Sequence, residues 1–87
     1  MSDLDEIRKR VEAGDVTVGL KQTLLGLKQG TLAAVYVTSN CPSKFKGDLK
    51  HNSGSVKIVE LKETNEELGI ICKKPYFISV VGLLKKK

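Results

Sequence analysis

The sequence predicts an α/β fold: a three-layer α/β/α sandwich around a mixed, mainly four-stranded sheet. Helical and strand patterns alternate along the whole chain, which is the order that places helices on both faces of a sheet. The segment 31–38 is apolar on both of its faces, as expected of a central strand that helices cover on two sides. Because 87 residues suffice for only one hydrophobic core, we expect residues 1–87 to form a single domain.

The first helix is predicted over residues 3–13. Its core face repeats apolar residues with helical spacing, namely Leu4, Ile7 and Val11. Acidic side chains occupy its first turn and basic side chains follow, which is the order that the helix dipole favours. Gly14 ends this helix, and a short strand over 16–18 follows.

The second helix, predicted over 20–29, has an apolar face and a basic face. The apolar face consists of Leu20, Leu24 and Leu27. Lys21, Leu25 and Lys28 repeat with the same spacing on a neighbouring row, so Leu25 lies off the core between two lysines. Gly30 ends the helix. An apolar residue between lysines is compatible with a contact surface.

The central strand and the helix after it come next. The period of two in a strand divides the segment into Leu32, Ala34 and Tyr36 on one face and Ala33, Val35 and Val37 on the other. The following loop leads into a short third helix, with Asn40 or Cys41 near its cap and Pro42 near its first position. Phe45 and Leu49 anchor this helix, and residues 52–55 end it.

The remaining chain is predicted to form a strand, a short helix and a final strand. The third strand covers 56–61. Residues 64–67 form a capping box for the fourth helix, whose Leu68 and Ile71 point inward. A basic turn over 73–76 precedes the last, strongly apolar strand over 77–84, and we expect 85–87 to be a frayed basic tail.

The net charge of +5 is unevenly distributed. Basic residues concentrate on the second helix, in the loop after Asn40 and in the C-terminal segment. If these regions meet they form a surface for a polyanion, and if they do not they are ordinary solvated lysines. No apolar run approaches the roughly 20 residues of a membrane span, and the acidic N-terminus is unlike a secretory signal, so we expect a cytoplasmic protein with no membrane partner.

The residues argue against catalysis and against a metal site. The only histidine, His51, lies at a helix end and is interpreted as an exposed bystander. Cys41 and Cys72 lack metal-ligand spacing and are interpreted as buried or half-buried thiols. The glycines do not have the spacing of a dinucleotide-binding or phosphate-binding loop. We therefore expect no catalytic residues, no cofactor and no metal.

Binding of a structured RNA is better supported by the residues. Lys21 and Gln22 stand at a helix N-terminus, where free N–H groups attract phosphate, and both side chains can form hydrogen bonds with base edges. The loops around Asn40 and over 73–77 belong at helix–strand junctions, where such folds usually carry function. The few aromatic residues argue against a single-strand stacking platform, which leaves a structured RNA as the better candidate.

Three stretches resemble the L30e group of ribosomal proteins, within the wider family of kink-turn RNA-binding proteins that includes L7Ae. They are VGLKQTLLGLKQG (18–30), VYVTSNCP (35–42) and NEELGIICKKPYFISVVGLL (65–84), and they occur in the family's order. The resemblance covers most of the chain. It implies an α/β/α sandwich that binds a sharply kinked RNA helix with tandem sheared G·A pairs. It also implies a ribosome-associated structural protein of the large subunit, a monomer when free, with ribosomal RNA and other ribosomal proteins as partners.

The resemblance further implies a set of RNA-binding residues. Gly19 would allow close approach of the backbone, Lys21 and Gln22 would reach guanine edges, and Lys28 would face the phosphates. Asn40 would contact RNA from the loop after the central strand, with Lys44 or Lys46 nearby on the RNA backbone. An apolar and basic loop would pack on an extruded nucleotide, and it consists of Lys73, Lys74, Pro75, Tyr76 and Phe77.

Three features depart from the family pattern. Leu25 stands where many members have a lysine, the third helix is several residues short between Asp48 and Ser55, and the sequence stops after the last strand, without a further helix common in the family. We expect the last two departures to weaken one covering layer of the sheet. Two alternative functions stay open. One is a kink-turn protein of another ribonucleoprotein particle, such as an RNA-modification guide complex, and the other is a small regulatory or enzymatic domain whose basic surface is incidental.

Overall fold

The computed structural model describes residues 3–54 and 56–85, in which helices and strands alternate. In chain order the elements are α1 (Asp3–Ala13), β1 (Val16–Val18), α2 (Leu20–Gln29), β2 (Leu32–Val37), α3 (Ser43–Ser53), β3 (Lys57–Glu60), α4 (Asn65–Ile71) and β4 (Val80–Leu84). The predicted order of elements is confirmed. Of the tail predicted over 85–87, only Lys85 lies within the described residues.

The four strands form one mixed sheet in the order β1-β4-β2-β3. β2 pairs parallel with β3 and antiparallel with β4, while β1 pairs antiparallel with β4. β2 and β4 therefore occupy the two inner positions, which confirms the central position predicted for the doubly apolar segment.

A hydrophobic core lies on each face of the sheet. On one face α1 and α4 contribute Ile7 and Leu68, and on the other α2 and α3 contribute Leu27 and Leu49. These four side chains are all buried against the strands. Because each face of the sheet is covered by two helices, the predicted three-layer sandwich is confirmed.

α3 completes the second layer. It spans eleven residues and is therefore as long as α1. The helix ends at Ser53, followed by Gly54. Side chains of its last turn donate hydrogen bonds to carbonyls within it: Asn52 Nδ2 to Asp48 O at 2.8 Å and Ser53 Oγ to Lys50 O at 3.0 Å. The residue at the cap position is Pro42, with no capping side chain. The predicted cap at residue 40 or 41 and the prediction of a short helix are therefore wrong, whereas the predicted end of the helix within residues 52–55 is confirmed.

A β-bulge in β2 overturns the predicted division of its faces. The pairing with β4 shifts register between Leu32 and Ala34, so Ala33 is an extra residue and is exposed. Leu32 therefore packs in the same core as Val35, although a strict period of two places these two residues on opposite faces. The bulge allows two large side chains near the start of β2 to share one core.

The last strand begins at Val80, three residues later than predicted. The residues before it are held by loops rather than by a strand ladder: Ile78 N donates to Asn65 O at 3.1 Å, and Thr38 N donates to Ser79 O at 3.0 Å. Phe77 is 67% exposed, whereas Ile78 is buried. The apolar run 77–84 is thus divided between an exposed loop and a buried strand.

The predicted start of α4 is confirmed by a complete capping box. Thr64 Oγ1 accepts a hydrogen bond from Glu67 N, and Glu67 Oε1 accepts one from Thr64 N. Leu68 is fully buried and Ile71 packs against the same core. This cap fixes the point at which the chain leaves the carboxyl end of β3, which bears on the position of the candidate site.

Candidate nucleic-acid interface

The directions of the strands bring four loops together at one edge of the sheet. β1 and β2 both run antiparallel to β4, and β3 runs parallel to β2. The carboxyl ends of β1, β2 and β3 and the amino end of β4 therefore lie at the same edge. We call this edge, with the residues that follow or precede these strand ends, the loop edge.

Backbone hydrogen bonds join the segments at the loop edge. Gly19 N donates to Val80 O at 2.9 Å, which ties the start of α2 to the start of β4. Ser39 N donates to Glu63 O at 2.9 Å, which joins the loop after β2 to the loop after β3. Together with the bonds of Ile78 N and Thr38 N described above, they make the loop edge a connected surface.

The start of α2 supplies Lys21 and Gln22 to the loop edge. Gly19 is the N-cap residue, with φ 90° and ψ 162°, and no side chain caps the helix. The first turn contains no acidic residue, and Lys21 and Gln22 are exposed. The uncapped N–H groups and the lysine give this end of α2 a positive potential that suits phosphate.

Asn40 forms a two-bond contact with Asn65 across the loop edge. Asn40 Nδ2 donates to Asn65 Oδ1 at 3.1 Å, and Asn40 Oδ1 accepts from Asn65 N at 2.9 Å. The contact holds the loop after β2 against the first turn of α4. Sequence reasoning missed Asn65 as a site residue, although its position after the third strand matches the position of Asn40 after the second.

The loop before β4 forms an exposed apolar lip on the loop edge. Tyr76 is 54% exposed and Phe77 67%. With Pro75, Lys74 and the α4 residues Glu66 and Ile70, they surround a shallow cavity of about 250 Å³. Three large exposed apolar side chains (Ile70 is the third) around one cavity are typical of a contact site for an apolar or aromatic group.

Gly69 positions this loop. A Cβ at residue 69 would collide with the backbone carbonyl oxygen of Tyr76. The absence of a side chain therefore lets residues 74–77 lie directly on α4. The side chains of Tyr76 and Phe77 in this loop are exposed to solvent.

Two of the predicted site residues do not lie at the loop edge. Lys28 is in the last turn of α2, seven residues beyond Lys21 and hence about 10 Å along the helix at 1.5 Å per residue. Lys73 follows the carboxyl end of α4, and its Nζ lies 3.8 Å from Glu12 Oε1 near the end of α1. Both lysines are on the side of the molecule where the helices end.

The lysines of α3 stand in its first turn, beside the loop edge. Lys44 is exposed. Lys46 Nζ lies 3.5 Å from Glu60 Oε1 at the end of β3. Because that carboxylate already neutralises part of its charge, Lys46 is a weaker candidate for phosphate than Lys44.

Lys73 adopts an unusual backbone conformation that predicts a stabilising substitution. Its φ is 58°. Among residues 3–54 and 56–85, the other residues with a positive φ are all glycines. Lys73 N donates to Ile70 O and Lys74 N to Gly69 O, both at 3.0 Å, which is the Schellman arrangement that favours glycine. We expect Lys73→Gly to raise the free energy of unfolding by about 0.5–1 kcal/mol, measured by urea denaturation. An unchanged or lower value would contradict this expectation; the loss of the exposed Glu12 ion pair contributes little.

The two thiols are buried and add no negative charge to the loop edge. Cys41 and Cys72 are both free and buried, as the sequence predicted. Burial raises the pKa of both thiols, and the nearby Lys46 and Lys74 lower it only in part.

Within residues 3–54 and 56–85 there is no group of three or more side chains suited to a metal ion. Over the same residues, none of the helices combines the length and the apolar character that crossing a bilayer requires.

Comparison with protein families identifies the group of proteins to which these features belong. A model described as the "Ribosomal protein L7Ae/L30e/S12e/Gadd45 family" matches residues 3–87. The chain belongs to this family. The match extends over nearly the full sequence and includes all of the segments that meet at the loop edge.

Curated relatives within the L7Ae/L30e/S12e/Gadd45 family are similar over most of their length. The large ribosomal subunit protein eL30 of Archaeoglobus fulgidus is 36% identical over 87 residues, covering 99% of each chain. The large ribosomal subunit protein eL30 of Methanopyrus kandleri is 32% identical over 81 residues, covering 91% of this chain and 74% of that protein. The resemblance to the L30e group stated from the sequence is thus confirmed.

Solved structures support the family fold independently of close sequence similarity. A protein with unknown function from Bacillus halodurans has a TM-score of 0.83 at 19% identity, covering 94% of this chain and 83% of that one. The Giardia lamblia 15.5kD RNA binding protein has the same TM-score at 15% identity, covering 97% and 72%. At these identities the likeness establishes the shared α/β architecture alone.

Proposed function

We propose that this protein is a structural constituent of the large ribosomal subunit and binds a kink-turn in ribosomal RNA through its loop edge. The observation that carries the proposal is the convergence of Lys21 and Gln22, Asn40, and the exposed loop 74–77 at one edge of the sheet. The similarity, over most of the chain, to proteins named large ribosomal subunit protein eL30 supports the ribosome as the host particle. We further propose that the protein is a monomer when free and acts in the cytoplasm, with ribosomal RNA and other ribosomal proteins as its partners.

The loop edge offers three kinds of contact to one RNA. The lysine and uncapped amides at the start of α2 suit a phosphate, and the side chains of Lys21 and Gln22 suit the edges of guanines. Tyr76 and Phe77 offer apolar surface to a base that has left the helical stack. A sharply bent RNA presents phosphates, exposed base edges and an extruded base together, whereas a regular A-form helix presents only backbone and a shallow groove.

The test of this function is binding to a short kink-turn RNA at near-physiological salt. The control is the same RNA with its two G·A pairs replaced by Watson–Crick pairs, which keeps the charge and removes the bend. We expect a preference for the intact motif of at least tenfold, about 1.4 kcal/mol. Equal binding to the two RNAs would reduce the loop edge to a generic basic surface, as the alternative of an incidental charge predicts.

A second measurement separates the ribosome from other particles. We expect the protein to co-sediment with large ribosomal subunits and to remain bound through mild washing. Release under those conditions, combined with a strong preference for the intact kink-turn, would favour the alternative of a modification-guide or other ribonucleoprotein particle.

A further inference from the structure

A second concave surface lies along α2, apart from the loop 74–77 cavity. We call it the α2 groove; its volume is about 500 Å³, within the range of pockets that hold small ligands. Its helix wall repeats at i, i+3, i+4 and i+7 through Gln22, Leu25, Gly26 and Gln29. Its sheet wall consists of Thr17, Thr31, Leu84 and Lys85. Only Gln22 among these residues belongs to the predicted RNA-binding set.

The walls of the α2 groove are held by hydrogen bonds within the fold. Thr17 Oγ1 and Thr23 Oγ1 are 3.0 Å apart, which fixes β1 against α2. Thr31 Oγ1 donates to Gly26 O at 3.2 Å, and Lys85 N donates to Thr31 O at 2.9 Å. The groove is therefore present before any partner binds, and a partner would not have to order it.

The chemistry of the α2 groove combines an apolar floor with polar and basic edges. Leu25 is 49% exposed, although it lies on a helix with a well-packed core face. The side-chain amides of Gln22 and Gln29 form no hydrogen bond with another described residue. Lys85 stands on one wall, no aspartate or glutamate lines the groove, and Lys21 and Lys28 flank Leu25 in the adjoining depression on α2.

We propose that the α2 groove is a second RNA-binding site, which accepts an unpaired nucleotide next to the kink-turn; this inference rests on the proposed function. The base would lie on Leu25 and Leu84, with the side-chain amide of Gln29 at its edge. Lys28 and Lys85 would neutralise the phosphates on either side. Lys28, which lies away from the loop edge, thereby acquires an RNA contact on a strand that continues along α2.

Charge complementarity favours RNA over an apolar protein segment as the occupant. A protein side chain could fill the apolar floor, but it would leave Lys85 on the groove wall and Lys28 beside it without anionic partners. A nucleotide uses both features, because its base covers apolar surface and its phosphates pair with lysines. The side-chain amide of Gln29 supplies both donors and an acceptor, so it can pair with any base edge.

The experiment is a nuclear magnetic resonance titration of the protein already saturated with a blunt-ended kink-turn RNA. The probes are pentaadenylate and pentauridylate, added separately while the backbone amide signals are followed. We expect saturable shifts at Gly26, Gln29, Thr31 and Lys85, with the signals of the loop edge unchanged. Shifts that are absent from these residues, or confined to the start of α2, would overturn the proposal.

Two lysine variants provide a matched pair. Lys85→Ala removes a charge from the groove. Lys57→Ala removes an equal charge from β3, which is the outer strand on the other side of the sheet from β1. We expect Lys85→Ala to weaken pentanucleotide binding by about threefold or more and to reduce its salt slope by about 0.7, with Lys57→Ala close to the unsubstituted protein. Equal effects of the two variants would mean general charge attraction and would overturn the groove assignment.

A third variant tests the apolar floor without changing charge. Leu25→Ser alters an exposed side chain, so the amide spectrum should remain that of the folded protein while pentanucleotide binding is lost. Retained binding would overturn the assignment. Failure of the groove leaves binding of the blunt kink-turn RNA intact, whereas failure of the proposed function abolishes that first binding event, so the two outcomes are distinguishable.

Discussion

Replacing Lys21 with alanine is expected to weaken kink-turn RNA binding by about 1–3 kcal/mol, the usual cost of losing a base contact. Lys21 is exposed in the uncapped first turn of α2, and it has no ion pair with another described residue. Its substitution therefore removes an RNA contact without disturbing the fold. The measurement is the dissociation constant of a blunt kink-turn RNA at a fixed salt concentration.

Lys57→Ala is the matched control for this variant. Lys57 is also an exposed lysine, but it begins β3 at the edge strand opposite β1. Because the carboxyl end of β3 lies at the loop edge, Lys57 at its amino end lies at the opposite end of the strand, away from the loop edge. We expect its loss to change kink-turn affinity only slightly. If the two variants weaken binding equally, the contact at the start of α2 is non-specific and the loop edge is the wrong site.

Gly69→Ala is expected to lower the free energy of unfolding by about 1–3 kcal/mol, as overpacking of a tight contact does. The new Cβ would collide with the carbonyl oxygen of Tyr76, which is a backbone atom. This collision can be relieved only if residues 74–77 move away from α4. We therefore expect the same variant to weaken kink-turn binding, because Tyr76 and Phe77 would leave their positions on the loop edge.

Gly47→Ala makes the same chemical change where there is room for it. Gly47 lies within α3, and a Cβ there meets no atom within 4 Å. Since alanine favours a helix over glycine, we expect a gain of about 0.5–1 kcal/mol in urea denaturation. A similar loss of stability in both variants would show that the collision with Tyr76 is not what destabilises Gly69→Ala. Unchanged RNA binding by a destabilised Gly69→Ala protein would remove loop 74–77 from the proposed site.

Local chemistry accounts for the parts of the fold that the sequence predicted well. The boundaries of α1 and α2 follow from apolar spacing and from the glycines after them, and the start of α4 follows from the Thr64–Glu67 capping box. Leu25 was correctly placed off the core from its helical row alone. Each of these features depends on residues within about one or two helical turns of one another.

The errors arose where a distant contact overrides the local pattern. The β-bulge at Ala33 moves Leu32 into the core of Val35, and it exists only in the pairing with β4. Phe77 belongs to an apolar run but is exposed, because hydrogen bonds to Asn65 and Thr38 hold the residues that follow it outside the ladder. Asn65 was missed because its contact with Asn40 joins residues 25 positions apart.

The candidate site shows the same division. Residue types identified Lys21, Gln22 and Asn40 as suited to RNA, but only the strand order places them at one edge. Lys28 and Lys73 lie away from that edge because they stand in or after the last turns of α2 and α4, although their charges alone look equivalent. The α2 groove has one sequence signal, the position of Leu25 off the core between two lysines. The opposite wall could not be predicted, because it comes from segments that meet α2 only in the folded protein.

The sequence by itself determined the alternation of elements, the ends of α1 and α2, the capping box of α4, the doubly apolar central strand and the family to which the chain belongs. These properties depend on side-chain spacing and backbone preferences that act over a few residues. The tertiary structure alone decided the strand order, the bulge, the exposed lip at residues 74–77 and which lysines share a surface. Those properties depend on pairings between segments far apart in the chain, and many such pairings satisfy the same local pattern.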